Sequence, residues 1–74
     1  DVFKMKFNVS NSETISFEVY NVLGEKIMKI PENMYSRGIY IVPVHVADLS
    51  DGTYLIKILS DGVPKDMCKM LVIK

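Results

Sequence analysis

Apolar and polar side chains alternate along most of this chain. In residues 2–9 and again in residues 14–20, every second position is apolar. A half-buried β-strand has this period of two, because successive side chains point to opposite faces of a sheet. We therefore predict two strands, with a core made by Phe3, Met5, Phe7 and Val9 from the first and Ile15, Phe17 and Val19 from the second. Ser16 and Glu18 should face solvent.

The middle of the chain predicts less regular strands. Residues 25–30 form a short third strand after a turn in which Gly24 supplies a positive φ. Residues 31–38 combine a proline with polar side chains, so we expect a loop there. Within that loop, Met34 and Tyr35 should either reach toward the core or form a brief edge strand.

Three further strands are predicted, over residues 38–46, 53–59 and 66–73. Pro43 interrupts the first of them and cannot donate to a ladder, so that strand should lie at an edge or carry a bulge. A turn over residues 60–64 joins the other two as a hairpin. The last strand is apolar at both odd and even positions, so its pattern leaves open which side chains face inward.

Six or seven short strands separated by turns every 8 to 12 residues are typical of a small sandwich. We expect one all-β domain over residues 1–74, an immunoglobulin-like antiparallel sandwich with Greek-key connections. The chain lacks the cysteine pair and the tryptophan of an antibody domain. An exposed apolar face on the last strand would favour a partner, or a homodimer formed through an edge strand.

The charge balance excludes several kinds of partner. Nine basic and nine acidic residues give a formal net charge of zero, whereas domains that bind nucleic acid through phosphates are usually strongly basic. No run of like charges suggests a polybasic membrane patch, and the apolar runs are too short to span a bilayer. The chain shows no signal peptide, which leaves the export of its parent protein open.

The residues that carry reactive chemistry are few. His45 and Cys68 are the only histidine and cysteine, and two such ligands are too few for a structural zinc site. They would form a nucleophilic pair only if they met in space. We favour instead a solvent-facing His45 and a Cys68 that packs as a small apolar residue.

Other candidate sites are equally weak. The turn aspartates match no calcium loop, and aspartate in a turn most often bonds its own backbone; they are Asp48, Asp51, Asp61 and Asp66. The tyrosines lie on different strands, which favours packing over a sugar-binding face. No glycine-rich phosphate loop is present. We therefore expect no cofactor, no metal and no catalysis, but a binding, structural or targeting module.

Three motifs in order resemble a known family. "ISFEVYNVLGEKIMKI" (residues 15–30) has a strand, Tyr-Asn-x-x-Gly and a lysine-containing strand, and "VADLSDGTYLIKI" (residues 46–58) has Leu-x-x-Gly-x-Tyr between strands. "CKMLVIK" (residues 68–74) ends the chain with an apolar strand and a lysine. Together they resemble the type A C-terminal sorting domain of type IX secretion substrates of the Bacteroidetes. The chain lacks the Asn-Pro pair that often opens this domain, and Asn21 replaces the commoner aspartate.

This resemblance implies a non-catalytic function, that of a recognition signal. Such a domain is an immunoglobulin-like signal read by the outer-membrane secretion translocon, and a sortase-like peptidase then removes it from the upstream cargo, which stays at the cell surface. The parts associated with recognition correspond to Lys69, Met70, Leu71, Val72, Ile73 and Lys74. The structural motif corresponds to Gly24, Gly52 and Tyr54. We expect Tyr54 to pack rather than to react.

Two other functions compete with a sorting signal. The first is a non-catalytic accessory module of a secreted enzyme, which binds carbohydrate or spaces domains. The second is an assembly domain like the immunoglobulin-like part of flagellar hook-capping proteins, which shares the glycine-then-strand pattern. Export of a fused reporter separates the sorting signal from both.

Overall fold

Six antiparallel strands build this domain. The structure is a computed structural model that describes residues 2–73, and its strands are β1 (Val2–Val9), β2 (Glu13–Tyr20), β3 (Lys26–Tyr35), β4 (Gly38–His45), β5 (Gly52–Ser60) and β6 (Val63–Val72). β1 pairs with β4, and the second sheet has the order β3-β2-β5-β6. The chain leaves this sheet after β3 and returns to place β5 beside β2, as in a Greek key. The predicted all-β, immunoglobulin-like sandwich is confirmed.

The core lies between the two sheets and uses the side chains that the alternation predicted. Phe7 joins its aromatic residues: its ring packs edge-on against Phe17 and Tyr35, with centroids 5.3 Å and 5.2 Å away, and stacks on Tyr40 at 5.7 Å. Aromatic pairs at these distances add stability beyond their buried area. The other buried apolar residues include Met5, Val9, Ile15, Val19, Val44, Ile56, Ile58 and Met70, while Phe3 is half-buried.

The loop predicted over residues 31–38 is wrong for most of its length, because β3 continues to Tyr35. A bulge in the pairing of β2 with β3 places Pro31 and Glu32 opposite Ser16. β3 is an edge strand, and proline is tolerated at edges and bulges because its missing N–H breaks no ladder. Tyr35 reaches the core through its contact with Phe7, one of the two outcomes expected for it.

Ser16 was expected to face solvent, and that prediction is wrong, since only 5% of its surface is exposed. β2 is a central strand, so side chains of the two neighbouring strands flank those on its outer face and shield them from water. Ser16 lies opposite Leu59 on β5, and Leu59 is also buried. Glu18, two residues further along the same face, is half-buried.

The other predicted strands are present, although β6 begins at Val63 rather than at residue 66 because the turn before it is shorter than predicted. β4 has only β1 as a partner among the described strands, so Pro43 lies at an edge opposite Lys4. Asp61 and Gly62 both have positive φ, 51° and 80°, which is the two-residue turn that a hairpin prefers. No helix within residues 2–73 is long and apolar enough to cross a membrane.

Candidate recognition edge and its supporting turns

The pairing of β6 with β5 decides which side chains of the last strand face inward. Met70 and Val72 are buried, with 0% and 5% of their surfaces exposed, and Cys68 is half-buried beside them. Leu71 lies on the outer face and is 60% exposed. Lys69 is exposed on that face too. One parity of the strand therefore belongs to the core, and the other is free for contacts.

The six residues predicted for recognition are thus divided. Met70 and Val72 lie in the core, whereas Lys69, Leu71 and Ile73 are exposed. Ile73 follows the end of β6 and is 76% exposed. The sixth residue of the prediction, Lys74, lies outside the described residues.

The Gly-x-Tyr motif and the terminal strand are direct neighbours. Gly52 pairs with Val72, and Tyr54 pairs with Met70, across β5 and β6. Tyr54 is buried, as expected, with 8% of its surface exposed. Its hydroxyl donates a 2.6 Å hydrogen bond to the carbonyl oxygen of Ser50, four residues earlier. The motif therefore fixes the start of β5, against which the end of β6 is held.

The sequence contains a second copy of this arrangement, which our pattern reading missed. "SRGIY" (residues 36–40) and "SDGTY" (residues 50–54) share the form Ser-x-Gly-x-Tyr. In the first copy the hydroxyl of Tyr40 donates to the carbonyl oxygen of Ser36 at 2.7 Å. The two glycines have φ of 154° and 152°, a region that residues with a side chain rarely adopt. Each copy forms a corner from which a strand begins, comparable to the tyrosine corner of immunoglobulin domains.

Asn21 organises the turn that contains Gly24. Its side-chain oxygen accepts hydrogen bonds from the backbone N–H groups of Leu23 and Glu25, both 3.0 Å long. The backbone carbonyl of Asn21 accepts a further 3.0 Å bond from the N–H of Gly24, which has the predicted positive φ, 83°. Asparagine side chains commonly stabilise turns in this way. The turn leaves Leu23 80% exposed.

A charged cluster covers the outer face of β2. The carboxylate of Glu18 accepts a hydrogen bond from the hydroxyl of Tyr20 and lies 3.0 Å from the ammonium group of Lys26. These two contacts, the hydrogen bond first, lower the pKa of Glu18 below its ordinary value. The same carboxylate raises the pKa of Tyr20 and of Lys26. The ammonium group of Lys57 lies 4.9 Å from the centre of the Tyr20 ring, a cation–π contact.

The groups considered for catalysis are separated. The sulfur of Cys68 lies 3.7 Å from that of Met5, and burial, followed by the charge of Asp66, raises the pKa of the Cys68 thiol. His45 is exposed on β4, in the other sheet, opposite Val2. Within residues 2–73 no three histidine, cysteine or acidic side chains cluster as a metal site requires. Asp66 was expected in a turn, but it lies within β6, where its carboxylate accepts a 2.8 Å hydrogen bond from the N–H of Met67.

Comparison with curated proteins gave no significant match, and comparison with solved structures gave none either. A family model gave one: residues 1–74 match the secretion system C-terminal sorting domain over the whole chain. This match does not favour the accessory-module or assembly alternatives. Members of such a family normally have no catalytic activity. They interact with the secretion machinery and are attached to an upstream cargo.

The order of motifs, the sandwich and the family match agree. The signal leads the cargo across the outer membrane, to the cell surface or beyond. The chain belongs to the secretion system C-terminal sorting domain family, and it is a sorting signal of type IX secretion.

Proposed function

We propose that the secretion machinery recognises residues 69–74 on the folded domain, in which residues 69–72 form the open edge of the sheet. β6 has β5 on one side and no strand among residues 2–73 on the other. Its free edge is suited to main-chain hydrogen bonds from an added strand. The observation that carries the proposal is the division of this strand: Met70 anchors it in the core, while Lys69 and Leu71 remain exposed.

The proposed partners act in sequence on the one domain formed by residues 1–74. An outer-membrane translocon binds the edge first, and a sortase-like peptidase then removes the domain and leaves the cargo at the surface. A translocon that serves unrelated cargoes benefits from main-chain recognition, because backbone hydrogen bonds do not depend on the cargo. Lysines along β6, such as Lys65 and Lys69, keep any pairing of the edge weak before it meets the translocon.

We also infer that the domain itself is not an enzyme. A nucleophilic cysteine needs a lowered pKa, whereas burial raises that of Cys68. Its thiol lies 3.7 Å from the thioether of Met5, which is not a base. Incubation with a thiol-directed probe at neutral pH should therefore label Cys68 slowly in the folded domain, and rapid labelling would contradict this inference.

Export of a reporter that carries a signal peptide tests the recognition edge. The chain is fused to the C-terminus of the reporter, and surface display is measured. Removing the last five residues should abolish display. Unchanged display would refute the proposal.

A sharper variant changes only exposed side chains. Leu71→Ser combined with Ile73→Ser alters residues that are 60% and 76% exposed, and the matched control, Ile39→Ser with Ile41→Ser on β4, alters residues that are 67% and 60% exposed. Both pairs should leave the melting temperature nearly unchanged. Only the first pair should reduce display, so equal display by the two variants would count against the edge.

The same edge is suited to a second copy of the chain. Met67 and Leu71 on β6 are 53% and 60% exposed, and strand-to-strand pairing would cover part of that apolar surface. We propose a weak homodimer through β6. Light scattering over a range of protein concentrations should show a rising mass, and Met67→Lys should abolish the rise. A constant monomer mass would refute the dimer.

A further inference from the structure

An open apolar groove lies on the outer face of the four-stranded sheet. Its volume is about 460 Å³, and it lies where the end of β2 and the turn after it meet β5 and β6. The outer face of an antiparallel sheet is usually polar, because it meets water. Here the lining is mainly apolar, and it includes Tyr20, Val22, Leu55, Lys57, Met67 and Lys69.

The apolar residues of this groove have no role in the core. Leu55 is 40% exposed and Met67 is 53% exposed, and both point away from the packed face of the sheet. Val22, at the rim, is 78% exposed. A domain of this size needs most of its apolar residues for its core. Apolar residues gathered outside the core therefore indicate a contact surface.

The charges of the groove have one sign. Lys57 and Lys69 line it, and among residues 2–73 no carboxylate does. The nearest acidic group along β2, Glu18, is already engaged by the Tyr20 hydroxyl and by Lys26. Glu18 also lies directly opposite Lys57 across β2 and β5, whereas Lys69 forms no ion pair within those residues. The complementary ligand therefore has an apolar group beside an anion.

We propose that the groove binds an extended polypeptide segment of the secretion machinery in which an apolar side chain lies next to an aspartate or glutamate. The groove continues onto β6, since Met67 and Lys69 belong to both. A polypeptide can pair with the open edge of β6 through its main chain and place alternate side chains in the groove. An acyl chain with a phosphate would match the charge but would leave that edge unpaired. The inference rests on the sorting function proposed above, and it names the chemistry of the partner.

Variants confined to β5 test the groove without altering the terminal strand. Leu55→Ser with Lys57→Gln removes one apolar and one cationic contact. The matched control is Ile41→Ser with Lys6→Gln, an exposed cross-strand pair on the other sheet. We expect display of the fused reporter to fall about tenfold in the groove variant, since two good contacts contribute on the order of a factor of ten. The control should export normally, and Lys57→Arg should retain export because it keeps the charge.

The outcomes separate the groove from the sorting function. If the unmodified fusion and both double variants are displayed equally, the groove inference is refuted and the sorting function stands. If the unmodified fusion is not displayed, the sorting function is refuted and the groove inference is refuted with it. Melting temperatures of both double variants show whether a loss reflects unfolding.

Cross-linking tests the identity of the ligand in a domain that keeps its lysines. Leu55 is replaced by a photoreactive phenylalanine analogue in the exported fusion, and the adducts are sequenced after irradiation. We expect an adduct to an extended segment of the secretion machinery that carries an aspartate or glutamate within two residues of the linked site. Adducts to lipid alone, or to segments without acidic residues, would overturn the proposal.

Discussion

Tyr54 provides the sharpest test of how the fold supports the terminal strand. Its ring is buried, and its hydroxyl donates to the Ser50 carbonyl oxygen at 2.6 Å. Tyr54→Phe keeps the ring and removes only this hydrogen bond. Because one such bond contributes about 1 kcal/mol net, the free energy of unfolding should fall by that amount. For a domain of this length the melting temperature should fall by roughly 4–8 °C.

Removing the whole side chain should be far more severe. Truncating a buried aromatic ring to alanine costs about 3–5 kcal/mol, to which the lost hydrogen bond adds. A chain of 74 residues has a total stability of roughly 4–11 kcal/mol. Tyr54→Ala therefore brings the domain close to unfolding. It also loosens Met70, the residue that Tyr54 pairs with on β6.

Thermal unfolding of the chain followed by circular dichroism, together with display of a fused reporter, measures both effects. Tyr40→Phe is the control, because at a half-buried tyrosine it removes the equivalent 2.7 Å bond to the Ser36 carbonyl oxygen, together with a 3.2 Å contact to the exposed Ser36 hydroxyl. It should lower the melting temperature less than Tyr54→Phe does. A Tyr54→Phe domain that melts like the unmodified chain would refute the hydrogen-bond argument. Lost display at an unchanged melting temperature would mean that the machinery contacts Tyr54 directly.

Three further outcomes are expected. Gly24 has φ of 83° and no atom within 4 Å of an added Cβ, so Gly24→Ala should cost about 1–2 kcal/mol in urea unfolding through backbone strain alone, and Gly24→Asn should cost less. In the folded state, hydrogen bonds and neighbouring lysines lower the pKa of Glu13 and Glu18 from the ordinary value of 4.5. The two ionised carboxylates therefore stabilise the fold fully above pH 4.5, and this stabilisation is lost as the pH falls through their lowered pKa values. Replacing both by glutamine should flatten the melting temperature against pH in acid. Met70→Ala should cost about 2–5 kcal/mol, whereas Leu71→Ala, its exposed neighbour, should change stability by less than about 0.5 kcal/mol.

Local alternation predicted the regular part of this fold well. β1 and β2 begin and end within a residue of the predicted strands, because each has one buried and one wetter face. The predicted third strand ended too early, at residue 30, because Pro31 and the polar residues after it are typical of a loop. Only the position of β3 at the edge of the sheet, which depends on distant strands, permits proline and polar side chains in it.

The candidate site depended on pairing that the sequence pattern does not contain. β6 is apolar at both parities, and its inward residues follow only from its register with β5, for example Met70 opposite Tyr54. The groove is harder still to predict, because Tyr20, Leu55 and Met67 come from three strands. The repeated Ser-x-Gly-x-Tyr was visible in the sequence, but its meaning requires the hydrogen bond that each tyrosine makes.

The division of β6 between core and surface constrains how a sorting signal of this kind is read. Withdrawing the strand as a free tail would expose Met70 and Val72, which have 0% and 5% of their surfaces exposed. It would also break the pairing with β5. In a domain with a total stability of roughly 4–11 kcal/mol, that loss is comparable to complete unfolding. A translocon that bound the withdrawn strand would have to supply this free energy for every cargo. Binding to the intact edge requires none of it, so the folded domain is the form that we expect the machinery to recognise.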